Sequence, residues 1–246
     1  MSTPAPPKLP PLGFLAVEVD IHRPPGDPFN ERTWPFSLIK ELVPGSGEST
    51  IVSSSPYDEE FIDRVVAAAC RLKERGAVGV ITSCGFLANA QPRQSRLAAR
   101  VPIPICTSAL VQIPSIAALL PPDKLVGILT YDGSRLTESH LRAVGIDPSR
   151  VRIRGCPDDG HLRGVVARGE QYSHGKLQAE LVAEAMALRA EMGAERVGAL
   201  VLECTQMPPF AEAIQRAVGV PVYDVYTMGL WFYSGLARRL PVEWSG

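Results

Sequence analysis

Residues 78–84 read VGVITSC and residues 197–204 read VGALVLEC, and these two stretches decide the fold. In each stretch an apolar run ends two or three residues before a cysteine, Cys84 in the first and Cys204 in the second. Short apolar runs without polar alternation are typical of strands that are buried on both faces of a parallel sheet. Both cysteines are therefore predicted to lie at the carboxyl ends of equivalent buried strands.

The similarity extends beyond these stretches and indicates an internal duplication. Gly13 and Gly127 lie at matching places in the opening strand of each half, with an offset of 114 residues (127 minus 13). The offset between Cys84 and Cys204 is 120 residues (204 minus 84). A repeat of this length has the size of a small domain. We therefore expect two similar halves whose cysteines face one central cleft.

Composition excludes several classes of protein. The 246 residues are 46% hydrophobic, which suffices for the core of one large or two small domains. The net charge of −1 and the scattered basic residues argue against a nucleic-acid partner. No apolar run approaches the roughly 20 residues that span a bilayer, and no signal peptide is recognisable, so we expect no membrane partner and a cytoplasmic location. The five cysteines lack CxxC spacing, which favours reduced thiols.

Strands that alternate with helices predict an α/β fold with parallel sheets that are covered on both faces. We expect a flexible proline-rich tail over residues 1–11, a first half over 12–120 and a second half over 121–222. The C-terminal helix within 223–246 is expected to join the first half. In the first long helix, Ser55 is the predicted N-cap and Gly76 marks the predicted end.

Each candidate thiol lies between a strand and a helix, where free backbone N–H groups favour anions. Such a setting helps to form a thiolate and to bind a substrate carboxylate. The loop 22–30 follows the first strand and is a candidate substrate-contacting element, in which the role of Arg23 stays open. Packing is the alternative role for both cysteines. The candidate substrate-binding residues are Thr82, Ser83, Gly85, Phe86, Thr130, Tyr131, Thr205 and Asn30.

This layout resembles the cofactor-independent aspartate/glutamate/hydantoin racemase superfamily, which also includes arylmalonate decarboxylase and maleate isomerase. The resemblance covers nearly the whole chain and rests on both cysteine turns, the duplicated halves and the pair Thr130-Tyr131. It implies two similar Rossmann-like domains related by pseudo-twofold symmetry, with the active site between them and no cofactor. It also implies that Cys84 and Cys204 act as opposed acid and base, and that Thr130 and Tyr131 bind a carboxylate or enolate oxygen.

Two positions depart from the pattern that amino-acid racemases of this superfamily usually carry. Gly85-Phe86 follows the first cysteine in place of Asn-Thr, so the amide that would hold an α-amino group is missing. Glu203 precedes the second cysteine in place of glycine. Three roles are open for Glu203: it orients a substrate cation, it raises the pKa of Cys204 by like charge, or it points into solvent.

The sequence and the resemblance together predict a cofactor-independent racemase or epimerase that acts at a carbon beside a carboxylate or carbonyl. A decarboxylase or cis–trans isomerase on the same scaffold is one alternative, and a non-catalytic small-molecule-binding protein is another. The four histidines lack metal-ligand spacing, so no metal is expected. The expected partner is a small carboxylate or carbonyl-containing substrate, and a homo-oligomer is compatible with the sequence.

Overall fold

The computed structural model describes residues 9–91 and 97–238. The strands in chain order are β1 (Leu12–Ala16), β2 (Leu38–Leu42), β3 (Val80–Thr82), β4 (Ile105–Cys106), β5 (Leu125–Thr130), β6 (Val151–Gly155), β7 (Val197–Leu202) and β8 (Val222–Tyr223). They form two four-stranded sheets in the orders β2-β1-β3-β4 and β6-β5-β7-β8, and every pairing is parallel. Counted from the start of each half, the two orders are the same. The predicted α/β class with duplicated parallel-sheet halves is confirmed.

Helices connect the strands and cover the sheets. Within the described ranges they are α1 (Glu48–Ile51), α2 (Glu59–Glu74), α3 (Leu97–Arg100), α4 (Ile113–Ala118), α5 (Glu138–Ala143), α6 (His161–Ala167), α7 (His174–Met192), α8 (Ala211–Val218) and α9 (Val225–Leu236). None of these helices combines the length and the apolar character needed to cross a lipid bilayer.

The central strands are buried because helices cover both of their faces. All six residues of β5 are buried, as the uninterrupted apolar sequence predicts. Gly127 in β5 lies under α7, and a Cβ at this position would overlap the side chain of Leu200 and lie 3.0 Å from that of Leu188. Glycine at this position therefore lets α7 pack directly on the β5–β7 pair.

Helix α2 begins three residues later than the sequence predicted. The N-cap is Asp58, whose carboxylate accepts a hydrogen bond of 2.7 Å from the N–H of Phe61. The predicted N-cap, Ser55, donates its own N–H to Ser53 Oγ in the preceding turn. A carboxylate also interacts favourably with the positive end of the helix dipole. Gly76 ends the helix as predicted, with a φ of +91°.

Part of the predicted flexible tail is bound to the body of the protein. Residues 1–8 lie outside the described residues. The carbonyl oxygen of Pro10 accepts a hydrogen bond of 2.5 Å from the Tyr233 hydroxyl, and that of Pro11 accepts one of 3.1 Å from the N–H of Val78. Proline retains its carbonyl acceptor, so these two residues can bond to the body of the protein, while the flexibility of the tail stays a prediction.

Helix α9 packs on the first sheet although it follows the second sheet in sequence. Met228 is buried with Phe14 of β1 and Ile81 of β3 in a cluster separate from the main core. The side-chain amide of Gln112 donates a hydrogen bond of 3.0 Å to the carbonyl oxygen of Asp224, just before α9. The end of the chain that the structure describes is thus attached to the first half.

Candidate active site

A small cavity of about 50 Å³ lies between the halves, and both Cys84 and Cys204 line it. The residues around it follow the carboxyl ends of strands from both sheets, where parallel α/β folds bind ligands. Its apolar wall consists mainly of Val17, Val19, Ile21, Ile51, Val52 and Val166. Among residues 9–91 and 97–238, no three His, Cys, Asp or Glu side chains are grouped so as to hold a metal ion.

The two thiols have equivalent backbone donors. The backbone N–H of Phe86 donates a hydrogen bond to the sulfur of Cys84, and the N–H of Gln206 donates one to the sulfur of Cys204. In both turns the donor is therefore the second residue after the cysteine. A backbone N–H aimed at sulfur stabilises a thiolate, so each turn is built to support a negative charge.

Burial opposes that charge. Burial is the main cause that raises the pKa of both thiols above the ordinary value, and the nearby Glu203 carboxylate is the second cause at each. Both thiols are therefore protonated at neutral pH. An Arg23 guanidinium lowers the pKa of Cys204 by a smaller amount. Any reaction that uses a thiolate here must first remove the effect of burial or of the like charge.

Glu203 is a buried carboxylate with only 1% of its surface exposed. Its Oε2 accepts a hydrogen bond of 2.6 Å from Thr130 Oγ1, and the backbone N–H of Tyr131 donates a second bond to the carboxylate. Burial raises the pKa of Glu203 to about 7, against the effect of these two donors. The role in which Glu203 points into solvent is therefore excluded. Glu203 raises the pKa of Cys204, which is the direction that the second role predicts.

The structure brings most of the predicted substrate-binding residues to the cavity. Besides the cysteines, those that line it are Ser83, Gly85, Phe86, Tyr131 and Thr205. Three others do not line it. Thr82 Oγ1 donates to the carbonyl oxygen of Thr107, and Thr130 supports Glu203. Asn30 caps a turn of its own loop and donates to the carbonyl oxygen of Arg23 at 2.8 Å.

Charged residues from distant parts of the chain complete the cavity. Arg23, whose role the sequence left open, lines it and lies 3.4 Å from the carboxylate of the buried Asp27. Glu48, the first residue of α1, also lines it. Burial raises the pKa of Tyr131, and the Glu48 carboxylate raises it further. No local sequence pattern marked Glu48, because its place depends on how α1 packs.

A hydrogen bond ties the two cysteine turns together. Thr205 Oγ1 donates a bond of 2.7 Å to the carbonyl oxygen of Ser83, and both residues are buried. We expect Thr205→Val to lower the free energy of unfolding by about 1–3 kcal/mol, because that carbonyl loses its donor in a buried place. Urea denaturation measures the change. Thr205→Ser keeps the hydroxyl and is the control, and an equal loss in both variants would contradict this explanation.

The charge of Glu203 should also be visible in thiol reactivity. Glu203→Gln removes the negative charge, so the pKa of each site thiol falls and more thiolate is present at a given pH. We expect iodoacetamide to alkylate Cys84 and Cys204 about three to ten times faster at pH 8, as measured by peptide mass spectrometry. Glu48→Gln should have a smaller effect on Cys84, since Glu48 is the weakest of the named causes there. Unchanged alkylation rates in Glu203→Gln would contradict the coupling.

The family model described as Asp/Glu/Hydantoin racemase matches residues 54–232 of this chain. Dimethylsulfoniopropionate lyase 5 of Emiliania huxleyi is 28% identical over 228 residues, which are 89% of this chain and 44% of that protein. The chain spans about half the length of this relative and of two further dimethylsulfoniopropionate lyases of the same organism that it matches.

Solved structures share the fold. A variant of arylmalonate decarboxylase in a sulfate-associated form has a TM-score of 0.63 at 18% identity, over 92% of this chain and 93% of that one. Allantoin racemase from Klebsiella pneumoniae has a TM-score of 0.55 at 17% identity, over 93% and 90% of the two chains. At these identities the likeness concerns the arrangement of the backbone.

Proposed function

This chain belongs to the Asp/Glu/hydantoin racemase family, and on that premise we propose that it is a lyase that uses a cysteine to remove a proton beside a carboxylate. The observation that carries the proposal is the placement of Cys84, Cys204 and Arg23 around one small cavity. The names of the curated relatives suggest the substrate class, a carboxylate with a sulfonium group on the β-carbon.

Arg23 supports the binding of the substrate carboxylate. In the part of the chain that the structure describes, it is the one basic side chain that lines the cavity, and a guanidinium matches a carboxylate in geometry and charge. Arg23 and Cys204 line the same cavity. A carboxylate bound at Arg23 would therefore place its α-carbon beside Cys204, which we assign as the base.

The proposed reaction is a β-elimination that balances without an added reagent. The Cys204 thiolate takes the α-proton, and the electron pair of that C–H bond forms the double bond between the α- and β-carbons. The bond from the β-carbon to sulfur breaks, and its electron pair stays on sulfur. Dimethylsulfoniopropionate would yield acrylate, neutral dimethyl sulfide and the proton held by Cys204, which is then released to solvent.

A second candidate function is racemisation or epimerisation, as the sequence predicted. The equal N–H donors to Cys84 and Cys204 favour it, since they would support a thiolate on either side of one carbon. Both reactions begin with removal of an α-proton, and they differ in the second step. A β-leaving group departs in the lyase, while the second thiol returns a proton to the opposite face in the racemase.

The test is to incubate the purified chain with dimethylsulfoniopropionate and measure dimethyl sulfide in the headspace and acrylate by NMR. The lyase predicts both products in equal amounts, and activity that survives treatment with EDTA and removal of pyridoxal phosphate. Inversion of a chiral carboxylate without elimination would replace the lyase with the racemase. Failure to release dimethyl sulfide, together with failure to exchange α-hydrogen in D2O, would overturn the proposal.

A further inference from the structure

Glu203 has one oxygen that its own surroundings leave without a partner. Thr130 Oγ1 and the backbone N–H of Tyr131 donate hydrogen bonds to the carboxylate. The buried Oε1 nevertheless accepts no hydrogen bond within the described structure. No basic side chain of the described ranges forms an ion pair with Glu203. A buried carboxylate without a counter-charge is costly, and such a group in a cavity wall is a candidate for binding a cationic ligand.

Gly85 provides the space for this carboxylate. A Cβ at position 85 would overlap Oε1 of Glu203 and lie 2.6 Å from its carbonyl oxygen. Both residues line the cavity. The two departures from the usual racemase pattern, glycine after the first cysteine and glutamate before the second, are therefore one structural feature in which the second needs the first.

The charges of the cavity are placed for a ligand with two opposite charges. Arg23 lines the cavity and provides the positive group. Glu203, which precedes Cys204, provides the negative group. Its carboxylate packs against Gly85 in the Cys84 turn. We propose that Glu203 Oε1, in the space left by Gly85, forms a subsite for the onium group of a zwitterionic substrate whose carboxylate binds at Arg23. The inference rests on the proposed function in that it concerns the substrate of the same cavity.

The apolar part of the cavity wall fits an onium group that carries methyl groups. A primary ammonium carries three N–H donors that need acceptors when buried, whereas a sulfonium or quaternary ammonium presents methyl groups. The apolar part of the cavity wall consists of valine and isoleucine side chains, among them Val17 and Val52. These side chains pack against methyl groups, so a methylated onium buries apolar surface against them.

Binding of the cation would also prepare the base. The Glu203 carboxylate raises the pKa of both site thiols. A positive charge beside it offsets that effect, so the thiolate of Cys204 becomes easier to form when the substrate is bound. The onium subsite thus joins recognition of the substrate to activation of the thiol that removes its α-proton.

The test compares two ligands of the same shape and different charge, 3-(trimethylammonio)propanoate and 4,4-dimethylpentanoate. Isothermal titration calorimetry measures binding without any turnover. In the wild type we expect the cationic ligand to bind about 10- to 100-fold more tightly, the range of a buried charge-assisted contact. In Glu203→Gln the preference should fall to within about threefold. Glutamine keeps the size of the side chain and can still accept the hydrogen bond from Thr130.

Glu48→Gln is the matched control, because Glu48 is another carboxylate that lines the cavity. It should retain most of the preference for the cation. Equal binding of the two ligands by the wild type would overturn the onium subsite. It would also be overturned if Glu48→Gln removed the preference for the cation and Glu203→Gln kept it. A wild type that prefers the cation but releases no dimethyl sulfide would keep the subsite and remove the lyase. A wild type that releases dimethyl sulfide but binds both ligands equally would keep the lyase and remove the onium subsite.

Discussion

Cys204→Ser is expected to lower kcat for elimination by about 10²- to 10⁴-fold, the usual contribution of a positioned general base. The hydroxyl keeps the size and place of the thiol and still accepts the N–H of Gln206, so the fold should survive. Its pKa lies far above that of a thiol, so it cannot take the α-proton at neutral pH. Steady-state kinetics with dimethylsulfoniopropionate, together with a melting curve for each variant, measure the effect.

Cys84→Ser separates the two candidate reactions. If Cys204 alone is the base of an elimination, loss of the Cys84 thiol should cost no more than about tenfold. A racemase needs both thiols, so both variants would lose inversion, while each could exchange the α-hydrogen of one enantiomer in D2O. Cys70→Ser is the control, because Cys70 lies in α2 and does not line the cavity. Near wild-type turnover in Cys204→Ser would refute its role as the base.

The parts of the fold that the sequence revealed are those with uniform local patterns. The apolar runs of β5 and β7 predict buried strands because both faces are covered. Strand β2 was missed, since its sequence LIKEL is neither uniformly apolar nor alternating. It lies at the edge of its sheet, where Glu41 pairs with Arg71 and Arg75. The two-residue strand β8 is too short for a periodic signal. Repetition of the sequence compensated for these gaps and indicated the duplicated architecture.

The sequence predicted the candidate site only for reactive residues that lie in a turn directly after a strand. The cysteines and their neighbours follow strands directly, so sequence position implies location. Arg23 and Glu48 reach the same cavity from loops far along the chain, and tertiary packing alone sets their distance from the thiols. The contact between Gly85 and Glu203 is of the same kind. The sequence showed that each residue departs from the usual racemase pattern. Only the folded structure shows that the two residues are in contact, because the two cysteine turns face each other.

Gly85→Asn is expected to be the most damaging single change in the wall of the cavity. The new Cβ would overlap the Glu203 carboxylate and crowd its carbonyl oxygen. Overpacking of this kind costs about 1–3 kcal/mol of stability, and a displaced carboxylate that loses its hydrogen bonds adds about 1–3 kcal/mol. We therefore expect a loss of about 3 kcal/mol in urea denaturation, with loss of turnover because Cys84 and Cys204 no longer hold their relative positions.

The double variant Gly85→Asn with Glu203→Gly tests whether the two positions depend on each other. Glu203→Gly alone should also destabilise the protein, since it leaves a small void and removes the acceptor for Thr130 Oγ1. In the double variant, the asparagine can occupy the space of the missing carboxylate, and glycine at 203 lets the backbone carbonyl move away. The carbonyl oxygen would start only 2.6 Å from the new Cβ, so recovery should be partial. We expect the double variant to be more stable than the sum of the single losses by about 1–3 kcal/mol. Losses that add to within about 0.5 kcal/mol would show that the two departures are independent.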